Sequence, residues 1–406
     1  MVPAAFSLIG ILIGLQGIDG SQECSWDPQE AALQCSLSWH QDQARLTFAK
    51  HQREATSVLK IICQDHGKKG QKKRLLVDYK NRRNEKNFWP HLQSVEVENC
   101  PLSLIGVVLD GLSLETKGDD ILRDVIKPIL GGRSLSGLRH LTLTKSHQED
   151  VNDFSSDLWC EVGSNLISLN LSSNGLNKVP VSLNGSCPHF SLQRVEKINL
   201  AGNFISQLTD GPASILELSS GSLTHLDLSN NRLQSLTPFK SRRLKFVDVS
   251  ENKLTSWSSL LAFVAASAPS LQELQAQGNQ MANLSTSEPV IAFDNLVVLN
   301  LSRNALSTIE GLQRLQLKFL VALDFSHNRL KSLPDLSDLS GSLQVLSLSH
   351  NQLVSLGSLT SLTRLHVLML SHNNLDEKGL TSHPMANMSD LRSLSLDHNR
   401  LKGLPR

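Results

Sequence analysis

His327, His350, His372 and His398 each stand immediately before an asparagine: Asn328, Asn351, Asn373 and Asn399. Imidazoles that recur at one place in a repeated segment stack into a column, and protonation near pH 6 would make such a column repel itself. A pH-sensitive column is one reading. The plainer one, which we favour, is that Ser-His-Asn is a common filling of the repeat, since unperturbed imidazoles are half neutral near pH 6.5 in any case. No HExxH, GxSxG, GxGxxG or P-loop is present, and every cysteine has a plausible pairing partner. Fourteen histidines among 38 carboxylates produce neighbours by chance alone. No CxxC and no Cys/His cluster at zinc-ligand spacing occurs, so no metal site is expected. The chain is therefore expected not to be an enzyme and to need no cofactor.

The six cysteines, Cys24, Cys35, Cys63, Cys100, Cys160 and Cys187, all lie in the first half of the chain. An even number in a secreted chain reads as disulfides. Five Asn-x-Ser sequons, at Asn170, Asn184, Asn283, Asn300 and Asn387, fit passage through the secretory pathway as glycosylation sites. Residues 1–20 hold an apolar run from Phe6 to Leu15 followed by small and polar residues, as a signal peptide does, although the start carries no Lys or Arg. That run is about half the roughly 20 apolar residues a membrane helix needs. With 39 basic and 38 acidic residues there is no general electrostatic reason to expect nucleic acid as partner. The basic stretch Lys68, Lys69, Lys72, Lys73, Arg74, Lys80, Arg82 and Arg83 could attract heparin-like polyanions, but it reads better as a solvated loop.

The elements that must position these residues follow from a repeated pattern, LxxLxLxxNxL. Its first clean copy is Leu166, Leu169, Leu171, Asn174, Leu176, and its asparagine recurs at Asn203, Asn231, Asn252, Asn279, Asn304, Asn328, Asn351, Asn373 and Asn399, spaced by 21 to 29 residues. Two weaker copies precede it: Leu92, Val95, Val97 with Cys100 at the asparagine position, and Leu138, Leu141, Leu143 with Ser146 there. Such a period marks a leucine-rich-repeat solenoid. The LxL alternation gives each copy a short strand with its leucines turned inward. Stacked strands make a parallel concave sheet, on the order of 50 Å long for about twelve copies. Each asparagine turns inward after its strand, where an amide can both donate to and accept from backbone groups the bend leaves unpaired. The expected organisation is a signal peptide over residues 1–20, a cysteine-containing N-terminal cap over 21–91 and leucine-rich repeats over 92–406 with no C-terminal cap. The cap is read as stapled by Cys24–Cys35 and Cys63–Cys100, with Cys160 and Cys187 left for each other; four cysteines allow three connectivities, and the sequence does not choose among them. Leu401 and Leu404 are followed by Pro405 and Arg406 inside a repeat, so a longer parent chain is expected.

Cys24, Ser25, Trp26, then Leu33, Gln34, Cys35, Ser36, Leu37, then Leu59, Lys60, Ile61, Ile62, Cys63 resemble the N-terminal cap of arthropod Toll-type receptors, especially the long-ectodomain branch. Leu92 to Cys100, Gly137 to Thr144, and Cys187 with Pro188 continue the likeness. The resemblance implies a receptor ectodomain that binds a protein ligand or a like receptor and dimerises, held in a membrane only by a segment absent from this sequence. Its role would be innate immune or developmental signalling. The rival is a secreted or membrane-anchored adhesion or matrix protein built on the same repeat. In either case the outward strand residues Asn170, Asn199, Asp227, Asp248, Gln275, Asn300, Asp324, Ser347, Met369 and Ser395 are the expected binding column. Glycans on Asn170 and Asn300 would block part of that face and move the binding site to a flank.

Overall fold

The computed structural model describes residues 166–182, 192–208, 214–285, 290–381 and 388–403 continuously and, before residue 166, a set of strand segments. The chain divides into two compact units, one formed by Met1–Gly175 and Leu183–Ser191, the other by Leu176–Ser182 and Leu192–Arg406.

In the first unit the strands Ala32–Ser38, Val58–Gln64, Ser94–Glu98, His140–Thr144 and Ser168–Asn170 pair in parallel in that order. Val95 and Val97 register with Leu141 and Leu143, and Leu141 with Leu169, so the two weaker copies and the first clean one stack. The sheet also runs back through the segment assigned to the cap. There Leu33, Cys35 and Leu37 share register with Leu59, Ile61 and Cys63, an alternation without an asparagine to mark it. Gln22–Asp27 lies antiparallel on Ala32–Ser38 with Cys24 directly opposite Cys35, the backbone relation a bridge between them requires. Residues 1–20, Lys68 to Lys73, Cys100, Cys160, Cys187, Asn184 and Asn387 lie outside the described residues.

Among the described residues of the second unit, nine strands from Lys197–Asn199 to Ser393–Ser395 form a parallel sheet in sequence order. Each is three residues long, too short to persist alone. In most, a buried middle residue sits between two outward ones. Ile198, Leu226, Val247, Leu274, Leu299, Leu323, Leu346 and Leu368 are all at most 2% exposed, and the register places each opposite the next. Burying each such side chain contributes about 1.5–3 kcal/mol, and it does so only because a neighbouring copy covers it. Leu394, last in the column, is 39% exposed.

The backs of the repeats vary with their length. One back forms a helix, Trp257–Val264, whose N-terminus is capped by Ser256 accepting from the Ser259 N–H and which buries Trp257, Leu260, Leu261, Phe263 and Val264. Phe263 stacks on Phe239 at 5.5 Å. Shorter repeats close with single 3-10 turns at Glu310–Arg314, Ser337–Leu339 and Gly357–Ser361. Adjacent backs approach so closely that a Cβ on Gly311 would lie 1.6 Å from the Leu284 carbonyl oxygen, and one on Gly379 2.0 Å from that of Val354. Among the described residues no helix is long and apolar enough to cross a membrane.

Between strand and back the chain bends, and asparagine amides take up the polar groups exposed there. Asn328 is typical. Its Oδ1 accepts from the Leu306 N–H at 2.9 Å, one repeat earlier, while its Nδ2 donates to Phe325 O and to Leu301 O of the preceding copy, both at 3.0 Å. Asn231, Asn252, Asn279, Asn304, Asn351, Asn373 and Asn399 make the same three links. Asn203 accepts from Leu176 and donates to Leu200 O and Ala201 O. Replacing Asn328 with Ala leaves the buried Leu306 N–H without its acceptor, at a cost of about 1–3 kcal/mol, whereas Phe325 O and Leu301 O keep the amides of Asn351 and Asn304. Urea unfolding of Asn328→Ala is expected to show a loss of about 1–3 kcal/mol, and Asn399→Ala, half-buried at the end of the column, distinctly less. Equal small losses would mean that water replaces the amide freely.

Candidate functional site

Two outward columns flank the buried one on the second unit's sheet. The residue opening each strand runs Lys197, His225, Phe246, Glu273, then Val298, Ala322, Val345 and Val367. Apart from Phe246, this column is polar and charged over the first four strands, and it is apolar over the next four. Val297, 38% exposed, and Val321 widen the apolar stretch on the residue before each strand. His225 stacks on Phe246 at 6.1 Å. Burial, together with Lys197 and Lys245 beside it, holds the His225 imidazole below its ordinary value.

The column closing each strand holds Asn199, Asp227, Asp248, Gln275, Asn300, Asp324, Ser347, Met369 and Ser395 in one register. These side chains have a local duty that the repeat pattern does not announce. The Oδ1 atoms of Asn199, Asp227, Asp248, Asn300 and Asp324 each accept the N–H two residues on, at 2.8–3.1 Å, and Asn170 does the same for Ser172. One oxygen of each carboxylate is thus tied to its own turn. Burial pushes the Asp248 carboxyl up, and Asp227 and Glu273 push it further. Among the sequons, Asn300 belongs to this face and Asn170 closes a strand of the first unit, whereas Asn283 is exposed in a bridge to Thr308 outside the sheet. Met369 is 42% exposed and extends the apolar stretch into this column.

The residue before each ladder asparagine adopts positive φ in every clean copy: Ser173 in the first unit, and Gly202, Asn230, Glu251, Gly278, Arg303 and then His327, His350, His372 and His398 in the second. The four histidines share φ of 54–56°, so their side chains leave the backbone in one direction. Their rings stack in sequence, with centroids 4.1 Å apart at each step and planes within 12° of parallel. Loss of water around the packed rings, then repulsion from their neighbours, holds the His350 and His372 imidazoles below the ordinary value, with Asp397 opposing.

Two family models, both for leucine-rich repeats, match residues 222–241 and 342–382. Rat lumican is 31% identical over 186 residues, covering 45% of this chain and 52% of lumican. Pig fibromodulin is 33% identical over 135 residues, 33% of this chain and 88% of the fibromodulin sequence. This chain therefore spans about half the length of the lumicans it matches. Among solved structures, the Drosophila Toll–Spatzle complex aligns with a TM-score of 0.57 at 17% identity, covering 95% of this chain and 52% of that one. A leucine-rich-repeat protein of Leptospira interrogans gives 0.53 at 22%, covering 82% and 80%. At such identities the structural matches speak to the fold.

Because His350 and His372 are depressed in the fold, the unfolded chain binds more protons than the native one between the ordinary imidazole value of 6.5 and the lowered native values. Stability contributed by these groups is therefore present at higher pH and falls as pH drops through that window. Melting temperature is expected to fall between pH 7.5 and 5.5, and to fall less in a variant with all four histidines changed to Gln. Equal falls in both proteins would dispose of the column as a pH-responsive element.

Proposed function

Because the chain belongs to the leucine-rich-repeat proteins, we propose that it is a non-catalytic extracellular binding protein that holds a protein ligand against the sheet face of its second unit. The observation that carries this is the half-exposed apolar stretch Val297, Val298, Val321, Ala322, Val345, Val367 and Met369 beside a column of amides and carboxylates. Apolar surface of this kind, edged by polar groups that fix orientation, is what a protein interface needs at its centre and rim. The turn-capping role of the Asp and Asn side chains strengthens the reading, since it holds them still before a ligand arrives.

Two roles fit that activity. A receptor ectodomain of the Toll type, ligand-binding and dimerising, is supported by the cap residues around Cys24, Cys35 and Cys63 and by the fold likeness to Toll. A matrix or adhesion role is supported by the sequence likeness to lumican and fibromodulin. The transcript beyond Arg406 separates them: a membrane helix followed by a Toll/interleukin-1-receptor domain favours the first, a plain stop the second.

For the shared activity, purified secreted chain is applied to cell surfaces and to cell-free matrix from the source tissue. A Val321→Glu/Val345→Glu variant is expected to lose at least tenfold in binding, while Val354→Glu, outside the sheet and 54% exposed, keeps it. Binding that survives the double substitution, or fails for all three proteins, would remove the sheet face as the recognition surface.

A further inference from the structure

In most repeats the second residue after the strand is a serine: Ser229, Ser250, Ser302, Ser326, Ser349 and Ser371. In the last described repeat it is Asp397. That change puts a carboxylate beside the end of the imidazole column. His372 and His398, stacked at 4.1 Å, and Asp397 each offer one ligand atom, and the three atoms lie within 4.8 Å of one another on an exposed surface.

The carboxylate is already oriented. Its Oδ1 accepts hydrogen bonds from the hydroxyls of Ser371 and Ser395, which hold the carboxyl below the usual range. Oδ2 faces His398 Nε2 at 4.0 Å. That gap is too long for a hydrogen bond and about 0.6 Å wider than two bonds of about 2.0–2.2 Å at a tetrahedral angle span, so these exposed side chains close slightly around an ion. The His372 backbone N–H donates to Asp397 O at 2.9 Å, which pins the two turns to each other. Two imidazoles and a carboxylate suit a borderline transition ion and not a hard cation such as calcium. Hydroxyls fixing the ligating carboxylate are the outer support such sites use.

From this geometry we infer that His372, Asp397 and His398 form a binding site for a divalent transition ion of the zinc or copper class. Three protein ligands leave a coordination position open, which an outside donor fills. The ligands come from two repeats, so a bound ion cross-links the turns after the last two strands.

The test uses the full chain, purified without a histidine tag, titrated calorimetrically with Zn2+ at pH 7.4. Saturable binding of one ion is expected, weakened at least tenfold by Asp397→Asn or His398→Gln and lost in His372→Gln/His398→Gln. Cu2+ is expected to give an electron paramagnetic resonance signal with nitrogen coupling that disappears in the same double variant. Matching melts of the metal-free variants and wild type verify folding. In the unmutated protein, Zn2+ is expected to shield His372 and His398 from diethylpyrocarbonate while leaving His366 reactive. No saturable binding up to millimolar Zn2+, binding undiminished in the double variant, or uniform labelling with and without zinc would each overturn the inference.

Discussion

A chain that turns a sharp corner in every repeat exposes backbone donors and acceptors on the inside of the corner, where no water reaches them. One amide side chain per repeat answers this. Each asparagine donates to its own turn and to the preceding one, and accepts from the copy behind. The links therefore run along the stack as well as within a copy, which ties the position of every strand to that of its neighbour. The leucine core supplies most of the burial, but it is the amide column that fixes the register in which that burial occurs.

Fixed register is also what makes chemistry out of ordinary residues. Side chains that are more than twenty residues apart in the chain meet at strand spacing, so a residue type repeated at one position becomes a continuous line on the surface. The valine stretch, the amide and carboxylate column and the four stacked imidazoles all arise this way, and none could be assembled within a single copy. The same spacing brings Asp397 to His372.

Much of this was legible in the sequence, and for a definite reason. The two-residue alternation and the recurring asparagine are local signals of long-range stacking, so strands at Val95, Leu141, Leu169 and each later copy could be placed from the pattern. The strands at Leu33 and Leu59 could not, because Glu30 and Thr56 stand where Leu92 and Leu138 open the pattern of the other weak copies. The histidines were visible as a column, but that Asp397 stands where other copies have serine becomes meaningful only when its oxygens are located. The absence of compact metal-ligand spacing in the sequence is likewise uninformative when the ligands belong to separate copies. Nor does the pattern disclose that Asp227, Asp248 and Asp324 cap their own turns, since their outward position alone reads as ligand-facing. The backs were the least legible part: whether a segment closes as the helix Trp257–Val264 or as a single 3-10 turn depends on how much chain must be stored between fixed points.

Those fixed points divide the tolerance of the molecule unevenly. From the residue closing each strand to its asparagine the separation is always the same, as from Asp227 to Asn231 or Asp324 to Asn328, while the distance from one asparagine to the next varies from 21 to 29 residues. A one-residue deletion on the strand side would turn leucines outward and uncouple the amides at once. The opposite side can lengthen or shorten by whole turns. Descendants of this gene can thus diversify by insertion on one side and only by substitution on the other, so a new specificity on the sheet must be written letter by letter.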